Sequence, residues 1–243
     1  MSTFNIEIAN YVIEIETIHV RSFAVCRDFI CNGKEPDFRV RVLQKDIDND
    51  TREYMLLHNT NNKPWEGIIE VYTLLRKVAE NLVDFDVLLM HGAAISVNNE
   101  SFIFTGKSGI GKSTHVSKWL NSIEDVTVIN GDKPFILIGD TPMVCGSPWA
   151  GKENMYSNTM SPLKAIIFLE RSDNNCIYEI SLSEAFPLLL QQVYRPRDID
   201  KLRKTFELLK TLGDKVSFFY FKINNYKNDC FEVAYNELFK QNT

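Results

Sequence analysis

The glycine-rich stretch GKSGIGKST, residues 106–114, constrains the fold of this chain more than any other feature. Residues 101–105 before it are apolar and rich in β-favouring types, which predicts a buried strand. After it, Val116, Trp119 and Leu120 recur at helical spacing, which predicts a helix with one apolar face. A strand, a glycine loop and a helix in this order match the G-x-x-x-x-G-K-[ST] phosphate-binding pattern in the context that it requires. The chain is therefore expected to bind a nucleoside triphosphate, or to descend from one that did.

Each residue type in this loop suits contact with a polyphosphate. Its glycines can adopt backbone angles closed to other residues, and successive N–H groups then form an anion nest at the start of the helix. Lys112 would bring positive charge to the β- and γ-phosphates of ATP, and the Ser113 hydroxyl would complete the shell of a Mg²⁺ ion. The alternative, a chance glycine-rich turn, leaves the complete motif unexplained. The predicted nucleotide-binding residues are Gly106, Lys107, Ser108, Gly109, Ile110, Gly111, Lys112, Ser113 and Thr114.

Composition limits the classes of function that remain. The formal net charge is -5 and no basic run is present, which argues against a nucleic-acid partner. No apolar stretch approaches the roughly 20 residues that span a bilayer, and the N-terminus lacks a signal-peptide pattern, so no membrane attachment is expected. The five cysteines are scattered without C-x-x-C spacing, which is typical of reduced thiols and predicts no zinc site. We therefore expect a cytoplasmic globular protein.

The hydrophobic pattern changes along the chain and indicates two parts. Residues 4–50 are predicted to form a β-rich lobe, because residues 6–8, 12–16 and 38–42 alternate apolar and polar side chains as half-buried antiparallel strands do. Residues 46–64 are polar and are predicted to form a loop, with one short strand at residues 54–57. From Trp65 to Leu82, apolar residues recur at helical spacing. We predict an N-terminal β-rich lobe at residues 1–62 and a catalytic domain at residues 63–243, in an α/β fold with a mixed, α+β-like sheet.

Strands and helices follow one another in the second part. Strands are predicted at residues 93–97, 101–105, 126–130, 135–138, 143–145, 165–169 and 216–223, and helices at residues 183–193 and 198–212. The loop at residues 146–154 is rich in glycine and polar residues, which indicates a segment of a binding site.

Asp132 is the strongest candidate for a second chemical group. It follows the predicted strand at residues 126–130, and in phosphate-loop proteins a carboxylate at such a strand end holds the metal or accepts a proton from the acceptor hydroxyl. The alternative is that Asp132 caps a turn before Pro134, because Gly-Asp-x-Pro is good turn chemistry. Its position relative to the loop favours the catalytic interpretation.

Other polar and aromatic candidates give weaker signals. Lys152 and Arg195 would each neutralise charge on a transferring phosphoryl group, although single lysines and arginines are more often solvated. Trp149 and Tyr194 are expected to pack rather than to stack on a nucleobase. His91 lies ahead of the predicted hairpin, and its spacing alone leaves it as an ordinary core or surface histidine.

Three segments taken together resemble a known family. His91-Gly92, the phosphate loop and Asn130-Gly131-Asp132 are similar to the catalytic domain of HPr kinase/phosphorylase, which shares its nucleotide-binding core with ATP-dependent phosphoenolpyruvate carboxykinase. A closer likeness is to small, largely uncharacterised bacterial proteins described as HPr-kinase-like or serine-kinase-like. The stretches that carry it are HG at 91–92, SGIGKSTH at 108–115, NGDKP at 130–134, GSPWAGK at 146–152, PLKAI at 162–166 and QQVYRP at 191–196.

The resemblance implies a phosphate-loop core of the HPr kinase/carboxykinase type and a kinase activity. Such a chain would use Mg²⁺ and ATP to phosphorylate a hydroxyl, on the serine of a peptide or protein or on a small molecule. His91 would lie beside the acceptor and the γ-phosphate, and Asp132 near the acceptor hydroxyl. Lys112 would hold phosphate, while Ser113 and Asp132 would contact the metal, with Glu153 as a further candidate. HPr kinases generally form closed oligomers, so the resemblance is compatible with a homo-oligomer.

The chain departs from the family pattern at residue 131. The family generally has two adjacent acids where this chain has Gly131-Asp132, and the first is usually credited as the proton acceptor. Asp132 must then act alone, which phosphoryl transfer can tolerate because it depends mostly on positioning and charge stabilisation. Two alternatives therefore remain open. One is a catalytically weakened nucleotide-binding regulatory module, and the other is carboxykinase activity on oxaloacetate, for which no clear second substrate lobe is present.

Overall fold

The chain divides into two compact units, Met1–Phe85 and Asp86–Thr243. The computed structural model describes residues 1–227 and 229–240. Within these residues, none of the helices combines the length and the apolar character that crossing a membrane requires.

The first unit contains a three-stranded sheet and three helices. The strands are β1 (Ser2–Ile8), β2 (Tyr11–Thr17) and β3 (Phe38–Arg41), and the helices are α1 (Val20–Cys26), α2 (Gln44–Leu57) and α3 (Glu66–Leu82). β1 and β2 are antiparallel, and β3 runs parallel to β2. Buried side chains alternate with partly exposed ones along β1 and β2. The small N-terminal sheet that the alternating pattern predicts is therefore present.

Helix α3 belongs to this first unit. The expected boundary at residue 62 precedes α3, whereas the compact units divide after Phe85, because α3 packs against α1 and α2. Its Glu70 carboxylate also accepts hydrogen bonds at the start of α1. The donors are Ile18 N at 2.6 Å, His19 N at 3.0 Å and Ser22 Oγ at 2.7 Å.

The prediction of a loop at residues 46–64 with a strand at residues 54–57 is wrong, because α2 covers most of this stretch. α2 buries only Ile47 and Thr51, so its apolar signal is too narrow to reveal helical spacing. Its start is fixed by a polar contact instead, in which Leu43 N donates to Asp46 Oδ2 at 2.9 Å. Hydrophobic periodicity alone does not detect a helix of this kind.

The second unit is built on a mixed sheet. Its strands are β4 (Val87–Leu89), β5 (Ala93–Val97), β6 (Glu100–Thr105), β7 (Val126–Asn130), β8 (Phe135–Leu137), β9 (Met143–Cys145), β10 (Met160–Arg171), β11 (Cys176–Ile180) and β12 (Ser217–Ile223). Its helices are α4 (Lys112–Ser122), α5 (Leu182–Gln192), α6 (Ile199–Gly213) and α7 (Cys230–Leu238). The predicted hairpin β5–β6, the strand–loop–helix unit β6–α4 and the predicted helices α5 and α6 are confirmed, whereas β11 was not predicted.

The strand order places several loops at one edge of the sheet. The central strands follow the order β7-β5-β6-β10-β12. β9 pairs with the first residues of β10, β8 pairs with β9, and β4 pairs with β8. β10 is parallel to both β6 and β12, and β5 is antiparallel to both β6 and β7. The carboxyl ends of β6, β7, β10 and β12 therefore lie at the same edge as the start of β5. We call this the loop edge.

Helix α4 is fixed by aromatic packing on one face of this sheet. Val116 and Trp119 of α4 are fully buried together with Phe102 and Phe104 of β6, and the ring centroids of Phe104 and Trp119 are 5.8 Å apart. Helix α7 packs on the outside of α4. This core fixes the angle at which the chain leaves β6 and enters α4, and so positions the loop between them.

Candidate functional site

The glycine loop of residues 106–111 connects the end of β6 to the start of α4 at the loop edge. Gly106, Gly109 and Gly111 have φ angles of 147°, 75° and 107°, which favour glycine. A Cβ atom on Gly111 would lie 2.3 Å from Asn225 Nδ2, so this glycine also permits a close approach of the chain. At Gly109 a Cβ atom would meet nothing within 4 Å. The loop therefore has one packed side and one side that faces open space.

Lys112 lies against the loop that precedes it. Its side chain is 8% exposed, and Nζ donates to Gly106 O at 3.1 Å and to Lys107 O at 3.5 Å. Burial lowers the pKa of Lys112 from its ordinary value, against the opposing effect of the negative charge of Asp132. Among the described residues the hydrogen bonds of the ammonium go to these carbonyl groups, so an anion in the loop would offer it a stronger partner.

The other loop residues differ in exposure. Lys107, Ser108 and Thr114 are exposed, and Ser113 is half-buried in the first turn of α4. Ile110 is partly buried against the core beneath α4. The polar members of the motif are therefore accessible, while its one apolar side chain anchors the loop.

Asn130 fixes the backbone that carries Asp132. Its fully buried side chain accepts hydrogen bonds at Oδ1 from Asp132 N at 2.8 Å and from Lys133 N at 2.6 Å. Its Nδ2 group donates to the carbonyl and hydroxyl oxygens of Ser147, and Ser147 Oγ donates to Lys133 O at 2.6 Å. The motifs along the chain indicated no role for this asparagine. A polar side chain on the last residue of a buried strand is the signal that marks it.

His91 and Lys133 hold the two oxygens of the Asp132 carboxylate. His91 Nε2 is 3.3 Å from Oδ1, and Lys133 Nζ is 3.2 Å from Oδ2. The backbones meet as well, since Gly92 N donates to Asp132 O at 3.0 Å. Burial acts to raise the pKa of Asp132, but the hydrogen bond from His91 and the charge of Lys133 outweigh it and hold the pKa below its ordinary value. Asp132 is therefore ionised at neutral pH.

Gln192 contacts both the backbone and the ring of His91. Gln192 O accepts from His91 N at 2.8 Å, and His91 Nδ1 lies 3.1 Å from Gln192 Oε1. The ionised Asp132 needs a donor at Nε2. With the Gln192 amide turned so that its nitrogen faces the ring, the neutral imidazole donates from Nε2 and accepts at Nδ1. His91 therefore orients this carboxylate rather than removing a proton itself.

The segment at residues 146–154 packs behind Asp132. Gly151 has a φ angle of 75°, and a Cβ atom on it would lie 2.9 Å from Asp132 Cβ. Trp149 is buried, with its ring centroid 6.4 Å from that of Phe135, so it packs as the sequence predicts. Gly151 therefore allows this segment to support Asp132 at close range, a role that the sequence analysis missed.

The remaining predicted contacts lie outside this network. Lys152, Glu153 and Arg195 are exposed, and in the described residues none of them takes part in the hydrogen bonds that join His91 and Asp132. The structure therefore joins His91 to Asp132 and places Lys112 at the same loop edge, while the roles of these three exposed side chains stay predictions.

A resident metal ion has no cluster of ligands in the described part of the chain. No group of three or more His, Cys, Asp or Glu side chains there could hold one. Mg²⁺ needs no such cluster, since it usually keeps several waters and binds one or two carboxylates plus substrate phosphates. Asp132 carboxylate and Ser113 hydroxyl oxygens suit this kind of coordination, so the residues present fit a cation that arrives with a nucleotide.

Comparison with known proteins gives a likeness of fold. No family model matches the chain, and no curated protein matches it. Among solved structures, the Hpr(Ser) kinase/phosphatase from Coxiella burnetii is similar, with 12% sequence identity and a TM-score of 0.37 over 61% of this chain and 95% of that chain. The likeness concerns the fold alone.

Proposed function

We propose that this chain is a Mg²⁺- and ATP-dependent phosphotransferase that moves the γ-phosphoryl group of ATP to a hydroxyl acceptor. The acceptor is the serine of a peptide or protein, or a small molecule. The observation that carries the proposal is the position of Lys112, after the glycine loop that follows β6, and of the ionised Asp132, after β7, at one sheet edge, with His91 holding the carboxylate.

The glycine loop and Lys112 would bind the phosphates of ATP. The N–H groups of the loop and the start of α4 favour an anion, and Lys112 would leave the carbonyls of Gly106 and Lys107 for the phosphate oxygens. A bound Mg²⁺ ion would neutralise charge on the β- and γ-phosphates, with Ser113 and Asp132 as its protein contacts. These interactions position the γ-phosphorus and reduce the repulsion that an incoming hydroxyl oxygen meets.

The Asp132 carboxylate would position the hydroxyl group of the acceptor. The acceptor oxygen forms a bond to the γ-phosphorus, the bond from that phosphorus to the β–γ bridging oxygen breaks, and ADP leaves. The hydroxyl proton passes to an Asp132 oxygen. A carboxylate of lowered pKa is a weak base, so its main contribution is to orient the hydroxyl, in agreement with the loose transition state of phosphoryl transfer. His91 Nε2 keeps the carboxylate in place.

Two variants separate binding from transfer. Transfer from radiolabelled Mg-ATP to pools of cell peptides and metabolites is measured beside ATP affinity by calorimetry. Lys112→Ala is expected to lose both. Asp132→Asn keeps an oxygen that can contact the metal, so it is expected to retain most of the ATP affinity and to lose roughly 100- to 10,000-fold in transfer rate. Asp140→Asn, a change at an exposed carboxylate of the same unit, is the matched control and keeps both. Full transfer by Asp132→Asn would remove its role, and unchanged ATP binding by Lys112→Ala would remove the phosphate site.

A second candidate function is a nucleotide-binding regulatory module, and Gly131 favours it. Gly131 N donates to Met155 O at 2.9 Å, and a Cβ atom on Gly131 would lie 3.2 Å from Ala150 O and 3.3 Å from Met155 O. The segment behind Asp132 therefore crowds the position of the missing acid. Gly131→Asp is expected to disturb this packing, so the discriminating measurement uses the unaltered chain: tight ATP binding without transfer to any acceptor pool would favour the module.

A further inference from the structure

The turn that follows β12 borders the phosphate loop. Asn225 Nδ2 donates to Gly111 O at 3.2 Å, in the contact that leaves no room for a Cβ atom on Gly111. Arg171, at the carboxyl end of β10, donates from Nη2 to Gly109 O. The loop is thus fixed on this side by residues from two strands, and it has Asp132 on its other side.

The strand order determines the direction in which a bound triphosphate would run. β7, which leads to Asp132, and β12, which leads to Asn225, lie two strands from β6 on opposite sides, or about 10 Å from it in each direction. If the terminal phosphate faces Asp132, the other phosphates follow the loop N–H groups away from it. The nucleoside then leaves the loop toward the ends of β10 and β12.

The same turn exposes the aromatic ring of Tyr226. Tyr226 is 99% exposed, although its backbone is fixed: Tyr226 N donates to Asn224 Oδ1 at 3.0 Å, and Lys227 N donates to Asn224 O at 3.1 Å. Asn224 Nδ2 in turn donates to Asp173 O at 3.2 Å, and Lys118 Nζ of α4 donates to Lys227 O at 3.1 Å. A ring presented to solvent on a turn whose backbone is fixed suits stacking against a flat partner, because the backbone has little conformational freedom left to lose.

We propose that Tyr226 forms the nucleobase contact of this site, by stacking on the base of a nucleoside triphosphate whose phosphates occupy the adjacent loop. This inference rests on the proposed function. Asn225 is a positioning residue, since its amide joins the turn to Gly111. Stacking uses the π-face that every base has, so the contact favours a nucleotide over bare polyphosphate and discriminates weakly between adenine and guanine.

The test compares a ligand that has a base with one that lacks it. Calorimetry gives the Kd of Mg-ATP and of Mg-tripolyphosphate for the unaltered chain and for Tyr226→Ala and Tyr226→Phe. Tyr226→Ala is expected to weaken ATP binding roughly 5- to 150-fold and to leave tripolyphosphate binding unchanged. Tyr226→Phe keeps the ring and the affinity. Tyr72→Ala, at an exposed tyrosine of the first unit, is the control and changes neither Kd.

The outcomes separate this inference from the function on which it rests. Unchanged ATP affinity in Tyr226→Ala, or equal weakening of ATP and tripolyphosphate, would overturn the stacking contact and leave the phosphate site intact. Equal affinity of the unaltered chain for the two ligands would do the same. If the unaltered chain bound neither ligand, the proposed function and this inference would both be refuted. Because the Tyr226 ring is almost fully exposed, the thermal unfolding midpoint of Tyr226→Ala should equal that of the unaltered chain.

Discussion

Buried His115 should make the stability of this protein depend on pH. His115 follows the phosphate-loop motif in α4, is fully buried, and has the rings of Phe104 and Phe221 at centroid distances of 4.7 and 5.4 Å. Trp119 Nε1 donates to His115 Nε2 at 3.0 Å, so the proton of the neutral ring is on Nδ1, which has no hydrogen-bond partner among the described residues. Protonation would bury a charge and break the tryptophan hydrogen bond. Burial, with the charge of Lys118, accordingly lowers the pKa of His115 to about 3.

The direction and size of the effect follow from this value. An unfolded histidine has a pKa of roughly 6.5, so between about pH 6.5 and pH 3 the unfolded chain binds the proton that the folded chain excludes. The free energy of unfolding is therefore unaffected by His115 above that window and falls as pH decreases through it. With the folded pKa at about 3, the loss between about pH 7 and pH 5 is about 2 kcal/mol.

Urea denaturation of the unaltered chain and of His115→Gln at about pH 7 and about pH 5 measures this loss. Glutamine offers Trp119 an acceptor oxygen but does not titrate, so its free energy of unfolding should fall by about 2 kcal/mol less between the two pH values. Any constant cost of the substitution cancels in this difference. His58→Gln, at an exposed histidine, should leave the pH dependence unchanged. Equal pH dependence in the unaltered chain and in His115→Gln would refute the reasoning.

Two further predictions concern the support of Asp132 and of α1. Gly151→Ala adds a Cβ atom 2.9 Å from Asp132 Cβ, whereas Gly33→Ala has a similar φ angle of 73° and nothing within 4 Å. Phosphoryl transfer should therefore fall by up to about 100-fold in the first variant and stay unchanged in the second, and equal kcat values would contradict the support role. Glu70→Gln removes the charge that three donors at the start of α1 share, so urea denaturation should show a loss of about 2 to 3 kcal/mol; a change below about 0.5 kcal/mol would mean that these hydrogen bonds add little.

Local patterns in the sequence predict the phosphate-loop unit well. The strand β6, the glycine loop and α4 follow each other without interruption, and each has its own signal: apolar residues, glycines and helical spacing. α2 was missed because only Ile47 and Thr51 of it are buried. β11 was missed because Ile177 is its one buried residue, which leaves a strand at the edge of the sheet without a clear alternation. Prediction therefore fails where an element buries too little of its surface.

The candidate site could be predicted only as a set of chemical groups. Spacing and resemblance indicated Lys112, Asp132 and His91, since these belong to motifs that can be recognised along the chain. Their supporting partners are distant in sequence: Gln192, which contacts the His91 ring, is 101 residues away from it, and Asn225 is 114 residues from Gly111. No periodicity marks such a pair, because the contact arises only when strands that are far apart in sequence become neighbours.

The antiparallel strand β5 explains why a histidine can reach this site. In a purely parallel sheet, residues that precede a strand lie at the edge opposite the phosphate loop. β5 runs antiparallel to both β6 and β7, between the strand that carries the loop and the strand that leads to Asp132. Its start is therefore at the loop edge, and the residues before it, His91 and Gly92, meet Asp132 through the Nε2 contact and the Gly92 N–H. The sheet topology thus provides a side chain from a neighbouring strand end that can orient the carboxylate of Asp132.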